Sequence, residues 1–283
     1  MCRDVLQRRP GGYGCARRHS FDLNRHGYVD LLPHGHGRSG RTGDTSDMIA
    51  ARGRFLDSGH YHPLRDALAE RVLVHLRTPP GSAQSVVLDA ACGDGYYLAA
   101  VLDRVSEGDS DGGDARAAGV DVGVQGYGCD ISPPALRAAA RRCPGATLFL
   151  NDITHGICLA DSAVDVLLNV FAPRSASEFA RLVRPGGLLL VVIPRERHLG
   201  EMADLLPIGM ATDKRAGVEA MFAGAFDLTD ATPLEYAVEL SGDDVANLLA
   251  MTPGAFHGAV AGARPPGDLE VTAAFDVLSF RRR

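Results

Sequence analysis

A chain of 283 residues that is 46% hydrophobic and 23% charged has the composition of a folded protein, with room for one α/β domain and additions. It has no run of about 18 apolar residues and its basic N-terminus lacks an apolar segment, so neither a membrane span nor a signal peptide is expected, and the location expected is cytoplasmic. The formal charge of −6 disfavours nucleic acid as a partner of the whole surface, yet residues 1–54 hold ten Arg and five Asp, a basic front on an acidic body.

Residues 1–35 read as a loop-rich module. Gly11, Gly12 and Gly14 mark a turn, and "SFDLNRHGYVDLL" offers short extended stretches with Gly27 at another turn. Cys2, Cys15 and His19 look like three quarters of a structural zinc site, which wants four ligands. The six cysteines lack regular spacing, which favours reduced thiols over a disulfide framework. "HGHGRSGRTGD" (34–44) is a flexible basic linker. A helix then begins near Asp44, Thr45 or Ser46, any of which can cap it, with Met48, Ile49, Ala51, Phe55 and Leu56 on one face. "GHYHP" (59–63) breaks the pattern, and "LRDALAERVLVHLR" (64–77) is a second amphipathic helix.

From "SVVLDAACGDGYYLAAVLDRV" (85–105) the chain reads strand, tight turn, helix. Apolar segments follow at 125–132, 146–152, 163–172 and 186–194, with helices at 133–143 and 175–187 between them. Strands alternating with helices predict a parallel, doubly wound sheet. Residues 106–124 read mostly as a Gly/Asp-rich surface loop. "RERHLGEMADLL" (195–206) and "SGDDVANLLAMTPGAF" (241–256) are expected as helices, the second capped by Asp243 or Ser241. "DLEVTAAFDVLSFRRR" (268–283) is expected as the last strand, one of an antiparallel pair completing the sheet.

The glycine-rich turn after the first of these strands narrows the chemistry. A dinucleotide loop wants G-x-G-x-x-G so that the backbone can approach a pyrophosphate. Here "DAACGDG" lacks the third glycine and brings Asp89 and Asp94, acids that repel a pyrophosphate but suit a cationic sulfonium and its amino group. Asp130, with Ile131 after it, ends the second strand where a carboxylate can accept from both ribose hydroxyls. Asp152 and Ile153, at the third strand end, are placed to hold an adenine. "LDAACGDG", "CDIS" and "RPGG" together resemble the class I S-adenosylmethionine (SAM)-dependent methyltransferases, which implies a Rossmann-like, doubly wound, mostly parallel α/β sheet and SAM as cofactor. The fold leaves the substrate open.

The flanking segments are more specific. "FDLNRHGYVDLLP" (21–33), "GDTSDMIAARGRFLDSGHYHPLRDAL" (43–68), "FAP" (171–173), "RHL" (197–199) and "LLAMTP" (248–253) resemble, in order along the chain, the RlmA-like 23S ribosomal RNA guanine-N(1)-methyltransferases. The resemblance implies a small N-terminal zinc-finger-like module at 1–35, a linker and helices at 36–80, and a SAM-dependent methyltransferase domain at 81–283. It implies 23S rRNA as partner, a hairpin-loop guanine as target and, in some members, macrolide resistance. It adds Tyr61, Gly93, Asp94 and His198 to Asp89, Gly95 and Asp130 as cofactor contacts. It also makes Cys2 the second zinc ligand, Cys15 the third and His19 the fourth, the first lying three residues before Cys2. Either the start codon was assigned late or the module has lost its metal.

For the reaction itself, Asn169 after the fourth strand is placed to hydrogen-bond the guanine edge, and His60 and Asp94 are candidates to accept the N1 proton. Arg17, Arg18, Arg25, Arg38 and Arg41 are candidate phosphate contacts, and Tyr28, Tyr61 and Phe171 candidate stacking partners. No membrane partner is expected, and a homodimer is left open. The competing reading is a small-molecule methyltransferase of natural-product assembly descended from the rRNA enzymes, favoured by the acidic body and the incomplete metal site.

Overall fold

The computed structural model of the chain describes residues 6–32, 43–77, 84–111, 123–205, 214–252 and 267–283. Near the N-terminus β1 (Gln7–Arg9), β2 (Gly12–Gly14) and β3 (Ser20–Asp22) form a small antiparallel sheet. Gly12 is needed there, because a Cβ would collide with the Phe21 carbonyl oxygen on the facing strand. β4 (Tyr28–Asp30) leaves this unit and joins the edge of the main sheet.

The main sheet adds β5 (Gln84–Ala90), β6 (Gly123–Asp130), β7 (Thr147–Leu150), β8 (Val164–Val170), β9 (Val183–Pro194), β10 (Phe226–Leu240) and β11 (Leu269–Arg282). Its order is β10-β11-β9-β8-β5-β6-β7-β4. β11 runs antiparallel to both its neighbours, and the other pairings are parallel, so the expected antiparallel C-terminal pair is present. The helices are α1 (Ser46–Asp57), α2 (His62–Arg77), α3 (Tyr96–Asp111), α4 (Pro133–Arg142), α5 (Ala176–Leu182), α6 (Lys214–Phe222) and α7 (Gly242–Ala250). Thr45 caps α1, Ser132 caps α4, and Ser241 caps α7 in a reciprocal capping box with Asp244.

Strand periodicity sorts the central residues into two cores. Val166, Leu168, Leu190 and Val192 pack with Leu64, Leu68 and Val72 of α2 and Leu98 and Val101 of α3. Their neighbours Leu167, Leu189 and Val191 point the other way, onto Phe179 and Leu182 of α5 and Phe222 of α6. With both faces covered, β8 is buried along its whole length, which is why its sequence shows no polar alternation. Each such Leu or Val contributes about 1.5–3 kcal/mol. Among the described residues no helix is long and apolar enough to cross a membrane.

Three expectations are corrected. Of the helix expected at 195–206, the described residues 195–205 form no α-helix: a single 3-10 turn at Gly200–Met202 stands there. Leu199, at φ +55°, donates its N–H to the Thr272 carbonyl at 2.8 Å, which ties this segment to β11 instead of to its own preceding turn. The helix expected at 175–187 stops at Leu182, and Arg184–Gly187 already belongs to β9. Of the loop expected at 106–124, residues 106–111 belong to α3 and residues 123–124 to β6, while residues 112–122 lie outside the described residues.

Candidate active site

Strand order reverses between β5 and β8, and in open α/β sheets the C-terminal ends of the two strands at such a point flank a ligand crevice. β5 ends at Asp89 and Ala90, and the turn into α3 bends sharply: Ala91, Gly93 and Gly95 have φ of 69°, 55° and 81°. A Cβ on Gly95 would lie 2.9 Å from Cys143 Sγ and 3.2 Å from Ala139, so only glycine lets the turn lie against α4. The Gly93 N–H donates to Asp130 Oδ2 at 3.0 Å, and the Ser132 N–H donates to Asp130 Oδ1 at 2.8 Å. Asp130 thus fastens the turn to the end of β6, and each of its oxygens keeps a lone pair. Burial raises its pKa against the pull of those two bonds.

Asp89 is buried and its Oδ2 has no hydrogen-bond partner. Burial first, then the charges of Asp130 and Asp94, push its pKa up to about 8. An unpaired acceptor among three carboxylates is costly until a donor or cation meets it, so the site is built for a positively charged ligand. Asp94 is turned away to Arg142, whose Nη2 lies 3.0 Å from Asp94 Oδ2 and whose Nη1 lies 2.9 Å from Asp57. Arg52 lies along the glycine turn, pairs with Asp44 at 2.5 Å, and donates to the Met251 carbonyl at 3.4 Å. Arg52 and Arg142 were not singled out by the sequence, where nothing in their spacing distinguishes them from surface arginines.

Tyr61 enters from the segment between α1 and α2. Its ring meets Phe55 and Phe275 edge-on at 5.2 and 5.1 Å, and its hydroxyl lies 3.3 Å from His198 Nε2. The Ala274 N–H donates to His198 Nδ1 at 3.3 Å, which makes Nδ1 the acceptor and places the ring proton on Nε2. Burial, with Lys214 adding to it, lowers the His198 pKa to about 4, so the ring is neutral near pH 7. The Tyr61 oxygen therefore accepts from Nε2, and its own proton remains to donate. Burial raises the Tyr61 pKa, so it stays a phenol.

The remaining sequence candidates are spread more widely. Asn169, next to last in β8, has no exposed surface, its Nδ2 donating to the Pro173 carbonyl at 2.9 Å and its Oδ1 accepting from Arg174 Nε at 3.2 Å. His60 Nε2 lies 3.2 Å from Asp244 Oδ1 without hydrogen-bond alignment, and its ring packs on Phe55. Asp152 accepts from the Thr154 N–H and hydroxyl and meets His155 at 2.9 Å, so both its oxygens are engaged locally. Ile153 is buried in the core on the α5 side, while Ile131 stays half-buried beside Gly43. Of the three stacking candidates Tyr28 and Tyr61 are buried, a correction that leaves Phe171, 42% exposed.

In the N-terminal unit Cys15 Sγ lies 3.2 Å from His19 Nδ1, near the ~3.6 Å that two ligands of a tetrahedral zinc would span. Among the described residues no group of three or more metal-binding side chains converges. Cys2, Arg38 and Arg41 lie outside the described residues; Arg17, Arg18 and Arg25 are exposed.

Residues 1–40 match the family described as RlmA, N-terminal, a zinc ribbon. The chain is 39% identical over 260 residues to a provisionally named 23S rRNA (guanine-N(1)-)-methyltransferase of Micromonospora griseorubida, a match covering 88% of this chain and 81% of that one. It is 35% identical over 244 residues to the 23S rRNA (guanine(748)-N(1))-methyltransferase of Streptomyces fradiae, covering 86% and 79%. Among solved structures, a chain of the complex between the Haloferax volcanii Trm112 methyltransferase activator and a provisionally assigned methyltransferase superposes with a TM-score of 0.50 at 18% identity, covering 85% of this chain and 99% of that one. That likeness is one of fold alone.

Proposed function

The chain belongs to the 23S rRNA (guanine-N(1))-methyltransferase family, and from that premise we propose that it transfers a methyl group from SAM to N1 of a guanine in a 23S rRNA hairpin loop. The observation that carries the cofactor half of this reading is the orphaned Oδ2 of buried Asp89 beside Asp130, at the end of β5. SAM, when bound, supplies a methyl group activated on a cationic sulfonium.

The chain's own residues hold and orient. Asp89 offers its unpaired oxygen to the cationic methionine end, and the spare lone pairs of Asp130 accept from the ribose hydroxyls. Tyr61, its oxygen already satisfied by His198, donates its proton to an anionic group such as the cofactor carboxylate. None of the three residues need change protonation during methyl transfer once the cofactor is seated. Methyl transfer requires chiefly that nucleophile, methyl and sulfur be held in line away from water.

N1 of neutral guanine carries a proton and its lone pair is delocalised into the ring, so the proton leaves before or as the N1–methyl bond forms, to a base of the site or to water. Asp94 is already paired with Arg142, whereas His60 Nε2, 3.2 Å from Asp244 Oδ1, has no hydrogen-bond partner, which leaves His60 and water as the acceptors. The exposed Arg17, Arg18 and Arg25 on the N-terminal unit supply phosphate contacts, and Cys15 and His19 are two of the ligands of its zinc. Zinc there orders the RNA-facing unit and takes no part in the reaction.

Incubation with methyl-labelled SAM and unmodified 23S rRNA tests the proposal. Label in the RNA is expected; tight SAM binding with no label in RNA would turn the reading to a small-molecule acceptor.

A further inference from the structure

Phe171 stands out on three independent counts. It follows directly on β8, at the strand end beside the crevice, and it is exposed although large and apolar. Its φ of +54° lies in the left-handed region, where a bulky residue is a true outlier and stays only if its surroundings over-determine it. Its ring sits 5.3 Å from Phe275 and 6.4 Å from Tyr61, with His198 4.6 Å from Phe275, so one side meets an aromatic floor and the other meets solvent.

The surroundings do over-determine it. The Phe171 N–H donates to the Val192 carbonyl at 3.3 Å. Asn169 Nδ2 donates to the Pro173 carbonyl at 2.9 Å, and Arg174 closes the turn with Nε on Asn169 Oδ1 and Nη2 on the Ala172 carbonyl, both at 3.2 Å. Pro173 in turn restricts Ala172 to extended backbone. Among the described residues no carboxylate pairs with Arg174, and burial alone lowers its pKa. A half-buried guanidinium without a counter-charge, with its hydrogen bonds spent on the six-residue turn 169–174, is a costly brace.

We propose that the 169–174 turn is a braced platform on which Phe171 stacks the unpaired guanine, with Arg174 and Asn169 as positioning residues that hold the ring in place. This rests on the guanine-methyltransferase reading and assigns what that reading leaves open, the surface that receives the base. It also gives Asn169 a different task from the one its sequence position suggested: fully buried, it braces the turn and does not read the guanine edge. An aromatic face suits a base withdrawn from its hairpin stack, because stacking needs no hydrogen-bond pattern.

The test uses the full chain with SAM and a 23S hairpin RNA, comparing wild type with Phe171→Gly, Phe171→Trp, Arg174→Ala and Arg174→Lys. Glycine accepts the positive φ and so removes the ring while sparing the turn. Phe171→Gly and Arg174→Ala are expected to raise KM for RNA about ten- to a hundredfold, with the Kd for SAM within about twofold of wild type. Phe171→Trp should stay near wild type, whereas Arg174→Lys should behave as Arg174→Ala, since an ammonium cannot reproduce the two-pronged contact to Asn169 and Ala172. Wild-type methylation of RNA together with an unchanged KM in Phe171→Gly overturns this inference alone. Equal losses of SAM and RNA binding in Arg174→Ala overturn the positioning role. A wild-type chain that leaves RNA unmethylated overturns the functional reading and this inference with it.

Discussion

Replacing Asp89 by Asn changes the site's charge with almost no change of shape, and the consequences can be worked out in advance. In the ligand-free protein the Asp89 carboxyl titrates near pH 8, raised by burial and then by Asp130 and Asp94. Between about pH 4 and pH 8 the folded chain therefore holds a proton that the unfolded chain has released. Stability must fall as pH rises through that window, by about 1.4 kcal/mol per pH unit, and flatten above it. The Asp89→Asn chain lacks this slope, so without ligand it should be the more stable protein at pH 7.5.

SAM binding should show the reverse. A cationic ligand needs the ionised carboxylate, so binding expels the proton and the wild-type affinity should rise close to tenfold per pH unit from pH 5.5 to 7.5. Above that range Asp89→Asn should bind about ten- to a hundredfold more weakly, the worth of one charge-assisted hydrogen bond. Two pH units below 8 the two proteins should converge. Calorimetric titrations in buffers of different ionisation enthalpy count the protons directly: about one released per SAM bound at pH 6.5 by wild type, and none by the variant. Equal proton release by both, or a pH-independent wild-type affinity, would refute the reasoning.

Other consequences follow from the same geometry. His198 has its pKa lowered to about 4, so the unfolded chain binds the extra proton between about pH 6.5 and 4; stability should fall by ~3 kcal/mol as pH drops through that window, and His198→Gln should flatten the fall in urea titrations. Arg142→Ala leaves Asp94, 4% exposed at its side chain, without its cation and should lower unfolding free energy by about 3 kcal/mol, measured by chemical denaturation, while an Asp94→Asn, Arg142→Ala double variant recovers most of the loss. Cys15→Ser and His19→Ala should each lower the zinc retained by the purified chain, read by elemental analysis, with SAM affinity unchanged.

The parts of this fold that were legible from sequence are those fixed by local pattern. β5, β8 and β9 announce themselves as apolar runs because both sheet faces are covered, and α1 and α7 begin at readable caps, Thr45 and Ser241. What was not legible depends on distant partners. β4 joins the sheet through β7, more than a hundred residues on, and three residues carry no signal for that. Residues 195–206 have helical periodicity, but bonds from Leu199 to Thr272 and from Ala274 to His198 draw the backbone onto β11. α6 was missed altogether: nine residues with a glycine in the middle give little to see.

The site shows the same division. The acids and glycines of the β5 turn sit where their order in the sequence put them, since a strand–turn–helix unit is local. The partners of Asn169, Pro173 and Arg174, were not legible, because they depend on how the next turn folds back. Arg52 is held by Asp44 and by Met251, the latter 199 residues away, a pairing no motif encodes.

The chemical identity of the modified nucleoside tests the central claim most directly. 23S rRNA methylated by the wild-type chain, digested to nucleosides and resolved by mass spectrometry against standards, should yield 1-methylguanosine from a single hairpin-loop position, and the yield should vanish when that guanine is replaced by adenine. Methyl on N2, N7 or a ribose oxygen, or on no RNA nucleoside at all, would contradict it.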